Sequence, residues 1–325
     1  MKKDRYTLTG IVVLLVGIIA ISAYAMIRSN YDDDVYKIAV IVENPGDDKW
    51  ASFKAGAQDA GSDKRAVVEF INSSDISDIS DQKTIIDKEI ANGADAIITE
   101  PVTSVGTEDI IREISNKAVL ELVCSNAEAD IDVEGKYAVT MPDNYQIGRA
   151  IGSEILIRHT DDIKNKTIGI ITGDQDREKF SQRYKGLIDS LEGKGVKIVW
   201  QVLIDDEDEA SLTEAIQNNP VDVIVALDDE GLTLAARATA ESSYLPEIYG
   251  EGNSVRNICY VDRGKITSMI VPDYFRIGYQ SVVSVVEKIN HKLTPMEDEI
   301  VDYRVINREN IFNEKNQKYL FTNVE

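Results

Sequence analysis

From Tyr36 onward the chain alternates short segments that are apolar on both faces with longer segments of helical period, a rhythm that few folds accommodate. The first, Tyr36-Lys37-Ile38-Ala39-Val40-Ile41-Val42, has the continuous apolar character of a strand covered on both sides. A polar loop, Glu43 to Lys49, leads into a helix beginning near Trp50. Ala66 to Asn72 reads as a second strand, and Ser73 to Asp81, with its repeated Ser and Asp, as a loop carrying helix-capping residues. Thr84 to Ala91 is a helix with Ile86 and Ile90 on one face, closed by Asn92-Gly93. Asp95 to Thr99 is the third strand, Gly106 to Ser115 a helix and Val119 to Cys124 the fourth strand.

After Tyr137 to Thr140 the rhythm restarts. Helices are expected at Tyr145 to Arg158, Phe180 to Glu192, Glu207 to Asn218 and Glu230 to Ser243. Strands are expected at Lys166 to Thr172, Val196 to Leu203, Val221 to Leu227 and, briefly, Glu247 to Gly250. Such alternation implies right-handed crossovers and parallel sheets. Two successive sets imply two Rossmann-like lobes in an α/β chain. A strand at Lys265 to Val271, a helix at Phe275 to Asn290 and a last strand at Val301 to Ile306 follow, with a polar tail wrapping the surface.

The N-terminus sets the compartment. Lys2, Lys3 and Arg5 precede an apolar run from Gly10 to Ile27, long enough to cross a bilayer as one transmembrane helix. Positive charge before the run and Asp32-Asp33-Asp34 after it place the body outside the cytoplasm. Residues 1–30 are either an uncleaved anchor or a signal peptide cut after Ala23-Tyr24-Ala25. The run stays apolar through Met26 and Ile27, which favours the anchor; residues 31–35 are a linker.

A net charge of −22 argues against nucleic acid as a partner, because phosphate neutralisation needs clustered Lys and Arg. The two cysteines, Cys124 and Cys259, are expected as buried free thiols, with a single bridge open as an alternative. Glycine-rich nucleotide loops and the G-x-S-x-G elbow are absent. The two histidines, His159 and His291, each lie near a helix end, where they complement the dipole. No catalytic, metal or cofactor residues are assigned. The acidic runs Asp75-Asp78-Asp81 and Asp205 to Glu209 lack the glycine and closing glutamate of a calcium loop.

Ligands of open parallel sheets sit beyond the carboxyl ends of the strands. The polar residues at those ends are therefore the candidates: Glu43, Asp47, Lys49 and Trp50 after the first strand, Glu100 after the third, and Ser125 and Asn126 after the fourth. Asp174, Asp228 and Glu251 occupy the equivalent places in the second set, and Arg183 lies on the helix after Asp174. Asp228, with Asp229 and Glu230, also opens a helix and would stabilise its dipole without any ligand. Trp50 is either a core aromatic or a stacking surface for a ring, and Arg183 either pairs with a carboxylate or faces the pocket.

Several segments together resemble the type I periplasmic binding proteins of the ribose and galactose class, which are themselves similar to the effector domain of lactose-repressor relatives. They are the first strand with Trp50-Ala51-Ser52-Phe53-Lys54-Ala55-Gly56-Ala57, then Asp95 to Pro101, and Asp143-Asn144 with Ile147-Gly148. Arg183 to Leu187, Ala226 to Glu230, Asp273 to Tyr279 and Ile306 to Asn310 complete the match, which spans about Tyr36 to Ile311. The resemblance implies two lobes joined by a three-crossing hinge and closing on a monosaccharide or polyol. Residues 36–140 plus 251–280 would form lobe 1, residues 141–250 plus 281–311 lobe 2, and 312–325 a tail.

The resemblance is poorest at the implied ligand contacts. The family's first-loop Asn corresponds to Asp47 and its aromatic pair to Lys49-Trp50. Residues around Cys124-Ser125 replace its Asp-Arg pair, Asp228 its second-lobe Asn and Glu251 its hinge-side Asp, and its Gln falls near Pro272. A cleft holding Asp47, Asp228 and Glu251 suits an amine-bearing ligand. The expected partners are a small solute and a membrane transporter, or alternatively a histidine kinase to which an anchored sensory subunit reports.

Overall fold

The computed structural model describes residues 14–23, 35–72, 76, 78–127, 135–204, 209–239 and 245–321. The chain divides into Met1–Val35 and a compact body, Tyr36–Glu325. In the first unit, residues 14–23 form helix α1, whose Leu14, Leu15, Val16, Ile18, Ile19 and Ile21 are exposed. No helix among the described residues is long and apolar enough to cross a membrane. Most of the expected anchor, the cleavage position after Ala25 and most of the 31–35 linker lie outside the described residues, as do Asp75 and residues 205–208 of the acidic runs.

The body opens with β1 (Tyr36–Ile41), α2 (Ala51–Lys64), β2 (Ala66–Phe70), α3 (Ile79–Ala91), β3 (Ala96–Thr99), α4 (Glu108–Lys117), β4 (Val119–Val123) and β5 (Tyr137–Pro142). Then come α5 (Asn144–Arg158), β6 (Thr167–Thr172), α6 (Glu178–Leu191), β7 (Lys197–Leu203), α7 (Glu209–Asn218), β8 (Val223–Ala226), α8 (Asp229–Ala238), β9 (Glu247–Glu251), α9 (Val255–Asp262) and β10 (Ser268–Pro272). The chain closes with α10 (Tyr274–Asn290), β11 (Glu299–Val301), β12 (Tyr303–Asn307) and α11 (Glu314–Leu320). Among the described residues the strands form two six-stranded sheets of the same order, β2-β1-β3-β4-β5-β11 and β7-β6-β8-β9-β10-β12. Pairing is parallel except between β10 and β12. The central strands β3, β8 and β10 are buried throughout, whereas the edge strands β2 and β7 show exposed positions.

Each sheet is covered on both faces, which explains its apolar strands. In lobe 1, Val40 and Ile98 face Phe53 of α2 and Val282 of α10, while Ile41 and Ile97 face Ile86 of α3 and Ile111 of α4. In lobe 2, Ile170 and Val225 face Ile151 of α5 and Leu187 of α6, and Ile224 and Ala226 face Leu212 of α7 and Leu232 of α8. Two helix pairs approach through reciprocal glycines. A methyl group at Gly56 of α2 would strike the carbonyl of Phe275, and one at Gly278 of α10 that of Phe53. Gly148 of α5 and Gly186 of α6 meet the carbonyls of Arg183 and Tyr145 in the same way.

The chain passes between the sheets at Asp143, Asp273 and Asp302. Asp143 and Asp273 each follow a proline that ends a strand and cap the next helix, accepting from Gln146 N at 2.9 Å and Arg276 N at 3.0 Å. Asp273 N donates to Asp302 O at 3.0 Å, tying the second and third passages together.

These passages correct the expected lobe boundaries. Residues 251–272, assigned to lobe 1, contain β10, which hydrogen-bonds to β9 in the second sheet. Residues 281–290, assigned to lobe 2, belong to α10, which packs on α2 and β1 of lobe 1. The single strand expected at Val301 to Ile306 is two, broken at Asp302 and divided between the sheets. The polar tail contains α11, whose Leu320 packs into the lobe 2 core. Both thiols are free, but only Cys124 is buried; Cys259, on the amphipathic α9, is exposed.

Candidate functional site

In each sheet the first strand of the lobe lies between its second and third, so the crossovers diverge at β1/β3 and at β6/β8. A crevice forms at the carboxyl ends of such strands. At the lobe 1 crevice stand Glu43, which follows β1, and Glu100, which follows β3. At the lobe 2 crevice stand the loop from Gly173 to Arg177 and Asp228, the cap of α8. The two crevices face each other.

They are joined along one side by the stretch Asp176–Lys179. Arg177 grips the Glu43 carboxylate with both terminal nitrogens, at 2.5 and 2.8 Å, and its Nε donates to Val102 O at 2.8 Å. Lys179 Nζ donates to Glu100 Oε1 at 2.7 Å. Ser104 N donates to Asp176 O at 2.8 Å, Glu178 N to Ser104 Oγ at 2.8 Å and Lys179 N to Ser125 Oγ at 3.2 Å. On the other side, Asn253 Nδ2 donates to Lys49 O and the Tyr274 hydroxyl to Glu251 Oε1, at 2.8 and 2.9 Å. Between these seams remains a cavity of about 30 Å³, lined by Lys49, Trp50, Glu100 and Tyr274 from lobe 1 and Lys179, Arg183, Asp228, Asp229 and Glu251 from lobe 2. At roughly 10–15 Å³ per water, it holds about two.

Charge in this space is tightly compensated. Arg183 is 1% exposed; its Nη1 donates to Glu251 Oε2 and to Leu227 O, both at 2.7 Å, and its Nε to Asn144 Oδ1 at 3.0 Å. Burial works to depress the guanidinium, but Glu251, Tyr274 and Asp228 together outweigh it and hold the charge. Burial likewise works to raise the Glu100 carboxyl, but Lys179 and Arg177 hold it below the usual carboxylate range. Lys49 is raised despite its burial, because Glu100, Asp228 and Asp47 surround it.

Of the residues singled out at strand ends and on the helix after Asp174, Lys49, Trp50, Glu100, Arg183, Asp228 and Glu251 line the cavity. Trp50 is also part of the lobe 1 core, edge-on to Phe53, with its indole N–H donating to Glu43 O at 3.0 Å. Asp228 Oδ1 accepts from Gly231 N at 2.9 Å as the cap of α8. Ser125 is fully buried in the seam. Asp47 lies apart, 3.8 Å from the Lys49 ammonium, on an open depression of about 360 Å³ between the Gly46–Lys49 loop and α8. The sequence reading missed Arg177, Lys179 and Tyr274. Arg177 and Lys179 lie beyond the strand end in a loop and helix start, and Tyr274 begins α10 after the second passage. Among the described residues, no group of three or more His, Cys, Asp or Glu side chains is placed to hold a metal ion.

Residues 38–293 match the family model described as a periplasmic binding protein domain. No curated protein sequence matches the chain. Among solved structures, the carbohydrate transporter solute binding protein from Agrobacterium radiobacter in complex with D-arabinose is similar, with a TM-score of 0.78 at 19% identity, covering 88% of this chain and 99% of that one. GanP, a glucose-galactose binding protein from Geobacillus stearothermophilus, superposes with a TM-score of 0.76 at 21% identity, over 86% of this chain and 99% of its own. The XylFII–LytSN complex contributes a chain with a TM-score of 0.74 at 21% identity, over 85% and 99%. At such identities the likeness is one of fold.

Proposed function

The chain belongs to the periplasmic binding protein family, and on that premise we propose that it is an extracytoplasmic receptor that captures a sugar-like solute between its lobes for an ABC-type uptake system. The observation that carries this reading is the pair of facing crevices, whose shared cavity takes its wall from both lobes. Neighbours of the same fold include proteins solved with D-arabinose and with α-D-tagatopyranose. Lys49, Trp50, Arg183, Asp228 and Glu251, with Ser125 at the seam and Asp47 at the rim, are the proposed ligand-binding residues; Glu100, Lys179 and Tyr274 join them. The surplus of carboxylates at the cavity and rim extends the ligand class from neutral polyols to amine-bearing ones. Tethering by an N-terminal membrane segment fits the apolar side chains that α1 exposes.

A second reading is an anchored sensory subunit that reports its solute state to a histidine kinase. The likeness to XylFII, solved in complex with LytSN, favours it. Purification from native membranes separates the two readings: a permease accompanies a transport receptor, a kinase a sensory one.

The test of solute capture is thermal unfolding of the full chain in detergent, in the presence of a panel of sugars, polyols, amines and nucleosides. A ligand of the folded state stabilises it by about 2.7 kcal/mol at a hundredfold excess over Kd. A reproducible rise with one class supports capture; no rise with any compound in the panel contradicts it.

A further inference from the structure

We infer that the stretch Asp176–Lys179 of lobe 2 is a built-in latch along one side of the interlobe cleft, holding the lobes shut without a solute. The inference rests on the reading of this cleft as the solute site and concerns how that site is regulated.

The cleft closes on its own side chains. Ligand pockets for small molecules typically measure about 300–1,000 Å³. The space between the two seams is about 30 Å³, with the walls in contact distance of one another on either side of it, and the depression of about 360 Å³ beside it lies open at the rim. A solute between the lobes would normally supply the bonds that link them. Here the lobes supply such bonds directly: Asn253 to Lys49 and Tyr274 to Glu251 on one side, and on the other a larger set that converges on one short stretch. Its main chain is read by Ser104 and Ser125, which are 1% and 0% exposed, and its two basic side chains each seize an acid that follows a strand of lobe 1.

The arrangement is polar on both halves, so it can open without stranding buried groups. Once the lobes part, Glu43, Glu100, Arg177 and Lys179 become solvated, and the two serine hydroxyls lose only partners that water replaces. This is a two-position device: self-closed, or open and ready for a solute. Because only the open fraction accepts a solute, apparent affinity falls in proportion to that fraction. Weakening the stretch opens the cleft, and the ligand must compete with Arg177 and Lys179 for the lobe 1 acids.

The test measures the distance between the lobes in the full chain in detergent. One spectroscopic label is placed at the exposed Cys259 of lobe 2 and the other at Asp109→Cys on α4 of lobe 1. Without solute, the otherwise native protein is expected to show one short-distance population, and Arg177→Ala with Lys179→Ala to shift it to a longer distance. The exchanged pair Glu43→Arg with Arg177→Glu is expected to restore the short distance, showing that a shift reflects lost pairing and not misfolding. A long distance in the solute-free native protein, or no shift in the double variant, overturns the inference. The two readings fail separately. A native protein that is open and shortens on adding D-arabinose or another sugar retains the solute site and removes the latch. A closed native protein, with neither it nor the double variant binding any member of the panel, retains the latch and removes the solute site.

Discussion

Arg183 and Glu121 show how much of this protein's chemistry is spent on its own structure. Arg183 and Glu251 form a buried pair with further bonds to Asn144, Leu227 and Tyr274, so every strong group at that corner is engaged. Removing one member of such a pair leaves the other charge uncompensated, at a cost of about 3–5 kcal/mol. Arg183→Leu is therefore expected to lower the urea unfolding free energy by that order, and Arg183→Leu with Glu251→Leu to recover much of it. Glu121, on β4 away from the cleft, has its oxygens 2.6 Å from the Thr140 hydroxyl and 2.9 Å from that of Ser284. Burial pushes its carboxyl up to about 8. The folded state thus keeps a proton that the unfolded state releases above about pH 4.3, and each unit between the two values removes about 1.4 kcal/mol as pH rises. Glu121→Gln keeps the hydrogen bonds without the charge. Its stability is expected to match the native protein near pH 4 and to exceed it by a margin that grows up to about pH 8; a constant margin across that range would contradict the assignment. Strand-end logic made Lys49, Trp50, Glu100, Asp228 and Glu251 legible in the sequence, because the carboxyl end of an apolar strand can be read locally. Arg177 and Lys179 were not legible, because their role depends on long side chains crossing to the other lobe.

At the scale of elements, the body is held by helix pairs seated through small residues. Gly56 with Gly278, and Gly148 with Gly186, let α2 and α10, and α5 and α6, approach backbone to backbone. A methyl group at Gly278 meets a carbonyl that cannot move without displacing α2, so Gly278→Ala is expected to cost about 1–3 kcal/mol, as overpacking does. Gly46→Ala, where nothing lies within 4 Å, is the control and is expected to leave the melting temperature unchanged. Equal melting of the two variants would show that the helices do not depend on this contact. The core strands were readable because burial on both faces leaves a continuous apolar run, as in Ile38 to Val42. The eight-residue α9 and the seven-residue α11 were missed, since one or two turns carry too little periodicity to separate from a polar loop. The break at Asp302 was invisible for a related reason: β11 and β12 are contiguous in pattern and are parted only by the sheets they join.

At the scale of the molecule, two lobes of identical strand order meet at their switch points, so whatever occupies the cleft must touch both. The alternation of strands and helices announced two parallel sheets. It did not announce how α10 and β11 return to lobe 1, because that return depends on three passages clustered in space and far apart in sequence. The proposed function places a solute between the lobes. Amide hydrogen exchange on the full chain in detergent, with and without the compound that most raises the melting temperature, tests it most directly. Added protection is expected in both walls together, residues 43–50 and 100–104 of lobe 1 and residues 176–183, 228–231 and 251–254 of lobe 2. Protection confined to one lobe, or to surfaces away from these segments, would contradict it.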